Sequence, residues 1–141
     1  MTTQDPTQDH ATLSKLTGTG MMVNNATDDM RGRKVTDADG KDAGKVHDVL
    51  VDDRERKARF LLVEHGGFVG IGEKRSVIPV DAITRTTSDD VYIIETCEHM
   101  AEAPRYDPDL VNDRDYQSSI YGYYGCAPYW SAGYAYPGFN L

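Results

Sequence analysis

Cysteine, basic charge and long apolar runs are all scarce in this chain. It holds only 2 cysteines in 141 residues, Cys97 and Cys126. That is too few for a disulfide scaffold, and the pair lacks the C-x-x-C spacing that zinc and redox chemistry use. Both are expected to be free thiols, Cys97 in the core at the end of a strand and Cys126 in a more accessible setting. Lys and Arg number 15 against 23 Asp and Glu, a formal net charge of -8. Phosphate backbones attract cations and repel carboxylates, so no nucleic-acid partner is expected. No apolar stretch reaches the roughly 18 residues a membrane helix needs, and the opening MTTQDPTQDH has neither the basic nor the apolar region of a secretory signal. The expectation is a cytoplasmic protein with no direct membrane insertion.

Catalytic patterns are missing as well. There is no G-x-S-x-G elbow, no C-x-x-C-H haem site and no dinucleotide fingerprint. His47, His65 and His99 fall on or beside predicted strands without H-x-x-x-H or H-x-H pairing, so they are read as surface or half-buried side chains. No catalytic residue, metal ligand or cofactor is expected.

What is present divides the chain into three parts: a polar arm over 1–27, a folded domain over 28–103 and an extension over 104–141. The arm carries Leu13, Leu16, Met21, Met22 and Val23 among Thr, Asp and Gln. On its own it buries too little to offset ordering entropy, and it is expected to be disordered. The domain shows turn signals at short intervals with β-branched runs between them, the mark of a small antiparallel sheet or barrel. GRKVTDA and AGKVHDVLVDD form a first hairpin around Asp39-Gly40. Asp53-Arg54-Glu55-Arg56-Lys57 reads as a solvated tip that turns the chain into ARFLLVEHG. RSVIPV follows, with Pro79 at a strand end or sheet edge, and DDVYIIETC supplies a fifth strand. Asp81-Ala82-Ile83 can make one short turn.

Two segments resemble ligand loops and fail on spacing. GGFVGIGEKRSVIP puts Gly66, Gly67, Gly70 and Gly72 into seven residues. A phosphate loop runs into a helix, whose N-terminus helps to bind the anion, whereas here a strand follows. The glycines therefore suit a structural crossing that needs positive φ, with Phe68, Val69 and Ile71 plugging a barrel end. Counting a calcium loop from Asp37 places Lys41, Asp42 and Asp48 where an oxygen ligand, Gly and Glu are required, so a hairpin turn is the better reading.

Taken together, the stretches GRKVTDADGKDAGKVHDVLVDD, ARFLLVEHGGFVGIGEKRSVIPVDAI and DDVYIIET resemble the PRC-barrel domain family, which includes a cytoplasmic domain of the photosynthetic reaction centre and the C-terminal domain of a ribosome-maturation factor. The resemblance implies an all-β fold, a small, strongly bent antiparallel barrel, here with an extended N-terminal arm and an aromatic C-terminal tail. It also implies a non-catalytic accessory or adaptor protein that binds other proteins. The setting it suggests is the cytoplasmic face of the inner membrane, as a peripheral subunit of an electron-transfer or respiratory complex. An RNA or ribosome-maturation module and a self-associating stress-related protein are the alternatives, and a homodimer is among the expected assemblies.

The tail is compositionally the most unusual part, because nine of the thirteen aromatics lie between Tyr116 and Phe139. Tyr and Trp offer large contact area with few rotatable bonds. The expected partner-binding set is Tyr121, Tyr123, Tyr124, Tyr129, Trp130, Tyr134 and Tyr136, on a segment that its Gly and Pro residues keep extended. That segment lies either on its own barrel or on another protein.

Overall fold

A computed structural model describes residues 12–17, 30–65 and 74–137. The Gly66, Gly67, Gly70 and Gly72 segment falls outside the described residues, as does most of the polar arm.

Among the described residues seven strands form one sheet, in which β3 (Asp42–Asp52) is the spine. β4 (Ala58–His65) pairs antiparallel along one side of it, and β5 (Lys74–Pro79) pairs with β4. The other side of β3 is shared, with β2 (Lys34–Thr36) on its first half and β1 (Leu13–Lys15) on its last residues. β7 (Asp90–Ile93) lies against β2, and β6 (Ile83–Thr86) against β7. Bulges between Val46 and Asp48 and between Leu50 and Val51 bend the spine, as bulges do, and the sheet curls into a half-barrel.

Strand order 5-4-3-2-7-6 corrects the expectation of a purely antiparallel sheet, because β2 and β7 run parallel. Their connection passes through β3, β4, β5 and β6, which gives ample chain for a parallel return. Two strands also escape the sequence reading. β6 is only ITRT, with Thr84 and Arg85 exposed. β1 lies in the arm expected to be disordered; Leu13 and Leu16 are buried once they reach β3. Val49, Leu50 and Val51, successive residues that face both sides of the sheet, are consequently all buried.

The first hairpin is as expected. Its turn is closed by Asp37, whose Oδ1 accepts from the backbone N–H of Asp39 and Lys41 at 2.9 and 2.7 Å, while Gly40 takes φ +83°. Gly44, at φ +115°, lets β3 and β4 approach closely, since a Cβ there would stand 2.3 Å from the Glu64 carbonyl oxygen. Pro79 ends β5 and leads into a 3-10 turn at Val80–Ala82.

After the sheet come α1 (Cys97–Ala101) and α2 (Arg114–Tyr124). Cys97 therefore opens a helix and is half-buried, instead of ending a strand in the core. α2 corrects the expectation of an extended tail. Its N-cap Asp113 accepts from the N–H of Asp115 and Tyr116, and Gly125 ends it at φ +70°. Thus Gly125 terminates the helix without preventing it, and Gly122 is tolerated inside.

Candidate protein interface

On α2, Gln117, Ile120, Tyr121 and Tyr124 are buried at a spacing of three and four residues, so one face of the helix joins the core. The Tyr121 ring lies 5.0 Å from that of Phe60 on β4, centroid to centroid. Arg105 bridges to Ser76 on the outer edge of β5, and the Tyr106 N–H donates to the Arg75 carbonyl. The extension thereby caps an edge that would otherwise be open to strand pairing.

The segment after α2 is held by cations beneath its rings. Arg59, next to Phe60 on β4, has a side chain only 3% exposed; its Nε donates to Asp52 Oδ2 at 2.6 Å and a terminal nitrogen to Glu55 Oε1 at 3.0 Å. Asp52 is fully buried and also accepts from the N–H of Arg54 and Glu55. This corrects the reading of the 53–57 turn as merely solvated, since its base is a buried ion pair. Burial opposes the Arg59 charge, but Asp52 and Glu55 outweigh it and hold the guanidinium above its ordinary pKa.

Above this pair, Arg59 lies 4.4 Å from the Tyr129 ring centroid and 5.5 Å from that of Tyr136, and Lys57 lies 4.9 Å from Tyr136. Arg114 stacks on Trp130 at 3.8 Å, Trp130 meets both Tyr121 and Tyr129 edge-on, and the Tyr134 hydroxyl donates to Asp81 Oδ2 at 2.8 Å. Cation–aromatic contacts at such short range are attractive and directional. On the neighbouring face Tyr123 stacks on His99 at 4.2 Å and donates to the His99 carbonyl at 2.5 Å, while His99 Nδ1 pairs with Glu95.

The seven aromatics named from the sequence thus fall into two groups. Tyr121 and Tyr124 are buried and serve the barrel core. Tyr123, Tyr129, Trp130, Tyr134 and Tyr136 are half-buried, each packed on the domain with part of its surface outward. Sequence reasoning missed Arg59, Asp81 and Arg114, the polar anchors of this layer. Among the described residues the other large apolar side chains that stand exposed are Ile94 and Leu110.

Elsewhere, an open cleft of about 660 Å³ is lined by Lys34, Asp42, Gly44, Lys45, Glu64 and His65, and a cavity of about 270 Å³ next to it by Ala43, Cys97 and Met100 among others. His65 Nε2 lies 2.7 Å from Ser76 Oγ, and His47 pairs with Glu64 at 3.0 Å, so both histidines have structural partners. Burial pushes the Cys97 thiol up to about 11, with the Asp37 hydrogen bond adding to it; burial does the same for Cys126. Thiols so shifted are protonated at neutral pH and are weak nucleophiles.

The carboxylates of Asp37, Asp39 and Glu98 approach within 4.8 Å of one another. Burial opposes the Asp37 charge, but hydrogen bonds from Lys41, Cys97 and Asp39 hold its carboxyl down at about 2. The Lys41 ammonium bonds Glu98 at 3.1 Å. These groups already satisfy one another as a turn closure between β2, β3 and α1. Among the described residues no helix is long and apolar enough to cross a membrane.

A family model for the PRC-barrel domain matches residues 22–99, more than half of the chain. No curated protein matches the chain.

Proposed function

The chain belongs to the PRC-barrel family, and from that premise we propose that it is a non-catalytic adaptor whose partner-binding surface is the half-buried aromatic layer on the barrel. The observation that carries this reading is the layer itself: Tyr123, Tyr129, Trp130, Tyr134 and Tyr136 are pinned by Arg59, Lys57, Arg114, Asp81 and His99 with part of each ring outward. Rings immobilised before binding lose little entropy when a partner covers them, which is what makes Tyr and Trp effective anchors. The partner is a protein, and the setting is the cytoplasmic side of a membrane electron-transfer complex, to which this chain attaches peripherally. That setting rests on the family resemblance.

The test is affinity capture of the tagged full-length chain from native membranes, in parallel with a Tyr123→Ala/Tyr136→Ala variant whose melting temperature has been checked. The proposal expects subunits of an electron-transfer complex with the first and at least tenfold less with the second, as for the loss of two aromatic anchors. Recovery with ribosomes, recovery of the chain alone, or equal recovery with both forms overturns it.

A further inference from the structure

The short strand β1 is held in the manner of a bound peptide. Its residues pair with Leu50, Val51 and Asp52 at the end of β3, beyond the stretch from Asp42 to Lys45 that pairs with β2. Around that pairing, side chains of the barrel and of the extension read its main chain. Asp53 Oδ1 accepts from the Thr12 N–H at 2.9 Å, and the Asp53 N–H donates to the Thr12 carbonyl at 3.0 Å. Asn112, in the extension, accepts from the Leu13 N–H at 2.7 Å and turns its amide nitrogen to the Leu13 carbonyl at 3.5 Å. The buried Asp48 carboxylate accepts from the Thr17 N–H at 3.2 Å, and the Val49 carbonyl from the Leu16 N–H at 2.9 Å.

Side-chain recognition of the segment is sparse by comparison. Leu13 and Leu16 are buried, Ser14 and Lys15 are half-buried, and Thr12 and Thr17 are exposed. The Lys15 ammonium lies 5.4 Å from the centroid of the Tyr106 ring, within the range of a cation–aromatic contact. When an extended peptide adds to a sheet, main-chain hydrogen bonds supply the affinity and a few side-chain pockets supply the specificity. This segment is bound on that plan, with two aliphatic anchors and one cation between them. The carboxylates of Asp48 and Asp53 and the Tyr106 ring favour a basic residue there over an acidic one.

The match to the family model begins at residue 22, after β1, so the strand is an addition to the domain that the family defines. The groove is thus built by barrel and extension together, and its occupant comes from the chain that precedes them.

We propose that the end of β3, with Asp48, Asp53, Tyr106 and Asn112, is a β-augmentation groove that residues 12–17 fill as an internal ligand. The partner it takes is an extended protein segment with two aliphatic side chains three residues apart and a basic residue just before the second. The groove is separate from the aromatic layer and does not depend on that layer's role. Residues 12–17 act as an autoinhibitory strap, since a tethered ligand competes at an effective concentration on the order of millimolar.

The test uses a fluorescein-labelled peptide of sequence TLSKLT, read by fluorescence anisotropy. It is titrated with the full-length parent and with a full-length Leu13→Asp/Leu16→Asp variant, whose fold is checked by circular dichroism. The variant should bind the peptide at least tenfold more tightly than the parent, because its own arm no longer competes. A peptide that itself carries Leu13→Asp and Leu16→Asp should bind at least tenfold more weakly, as for the loss of two buried anchors. Native-state hydrogen exchange of the parent supplies the second readout, in which the amides of Leu13, Leu16 and Thr17 should open while β3 stays closed. An unfolded variant makes β1 an obligatory strand and overturns the proposal. So does a folded variant that binds no more tightly than the parent, equal binding of the aspartate peptide, or β1 amides that open only together with β3.

Discussion

Arg59 carries the strongest single-residue prediction. It sits in ARFLLV, where apolar neighbours and a nearby charged turn hide the fact that a guanidinium on β4 is buried, with its side chain 3% exposed. Arg59→Ala leaves Asp52 buried without its ion partner and removes the cation beneath Tyr129 and Tyr136. A loss of roughly 3 kcal/mol is expected by urea denaturation, because an uncompensated buried carboxylate is expensive. Gly44 reads in the sequence only as part of a hairpin, yet its φ of +115° and the 2.3 Å approach to the Glu64 carbonyl make it irreplaceable. Gly44→Ala should cost on the order of 3 kcal/mol through combined strain and overlap. Asp37 sets an acid limit. Despite its burial, hydrogen bonds lower its folded pKa from 3.8 to about 2, so it binds its proton more weakly in the native state. Its contribution is fully present above about pH 4 and lost as pH falls toward 2. Acid unfolding of Asp37→Asn should therefore show a shallower pH dependence across that window than the parent does.

At the scale of elements, legibility follows the number of partners each segment needs. β3 and β4 are readable because long β-branched runs announce strands wherever they pair. β1 is not, because Leu13 and Leu16 look like two stray apolar residues until β3 supplies the other half of their burial. α2 is obscured because Gly122, Gly125 and Pro128 suggest an extended chain and mask the i, i+3, i+4, i+7 set of Gln117, Ile120, Tyr121 and Tyr124. An Asp113 cap and a Gly125 stop in the left-handed region are the available signals. The expected consequence is that the barrel depends on its extension for stability. Deleting residues 114–141 strips Tyr121 from Phe60 and forfeits the burial of Ile120, Tyr121 and Tyr124, worth roughly 5 kcal/mol or more. The truncated chain should be unfolded or aggregated by circular dichroism and size-exclusion chromatography. A folded, monomeric product with the parent's melting temperature would show that α2 is dispensable.

For the molecule as a whole, the family and the bent all-β architecture are legible because they rest on several motifs read together. The interface is legible only in part. Composition locates the aromatics in one segment, but no spacing in the chain tells which rings turn inward, since that depends on Phe60, Arg59 and Asp81 from distant strands. The same segment serves two ends: the inward rings finish the core, and the pinned outer rings make the surface proposed for the partner. This dual use requires the extension to be docked in the free protein. Native-state hydrogen exchange of the full-length chain, with no partner present, tests that most directly. The amides from Gln117 to Tyr124 should exchange as slowly as those of β3 and β4, opening only when the whole barrel opens. Exchange of α2 amides at unprotected rates while β3 and β4 remain protected would contradict the account.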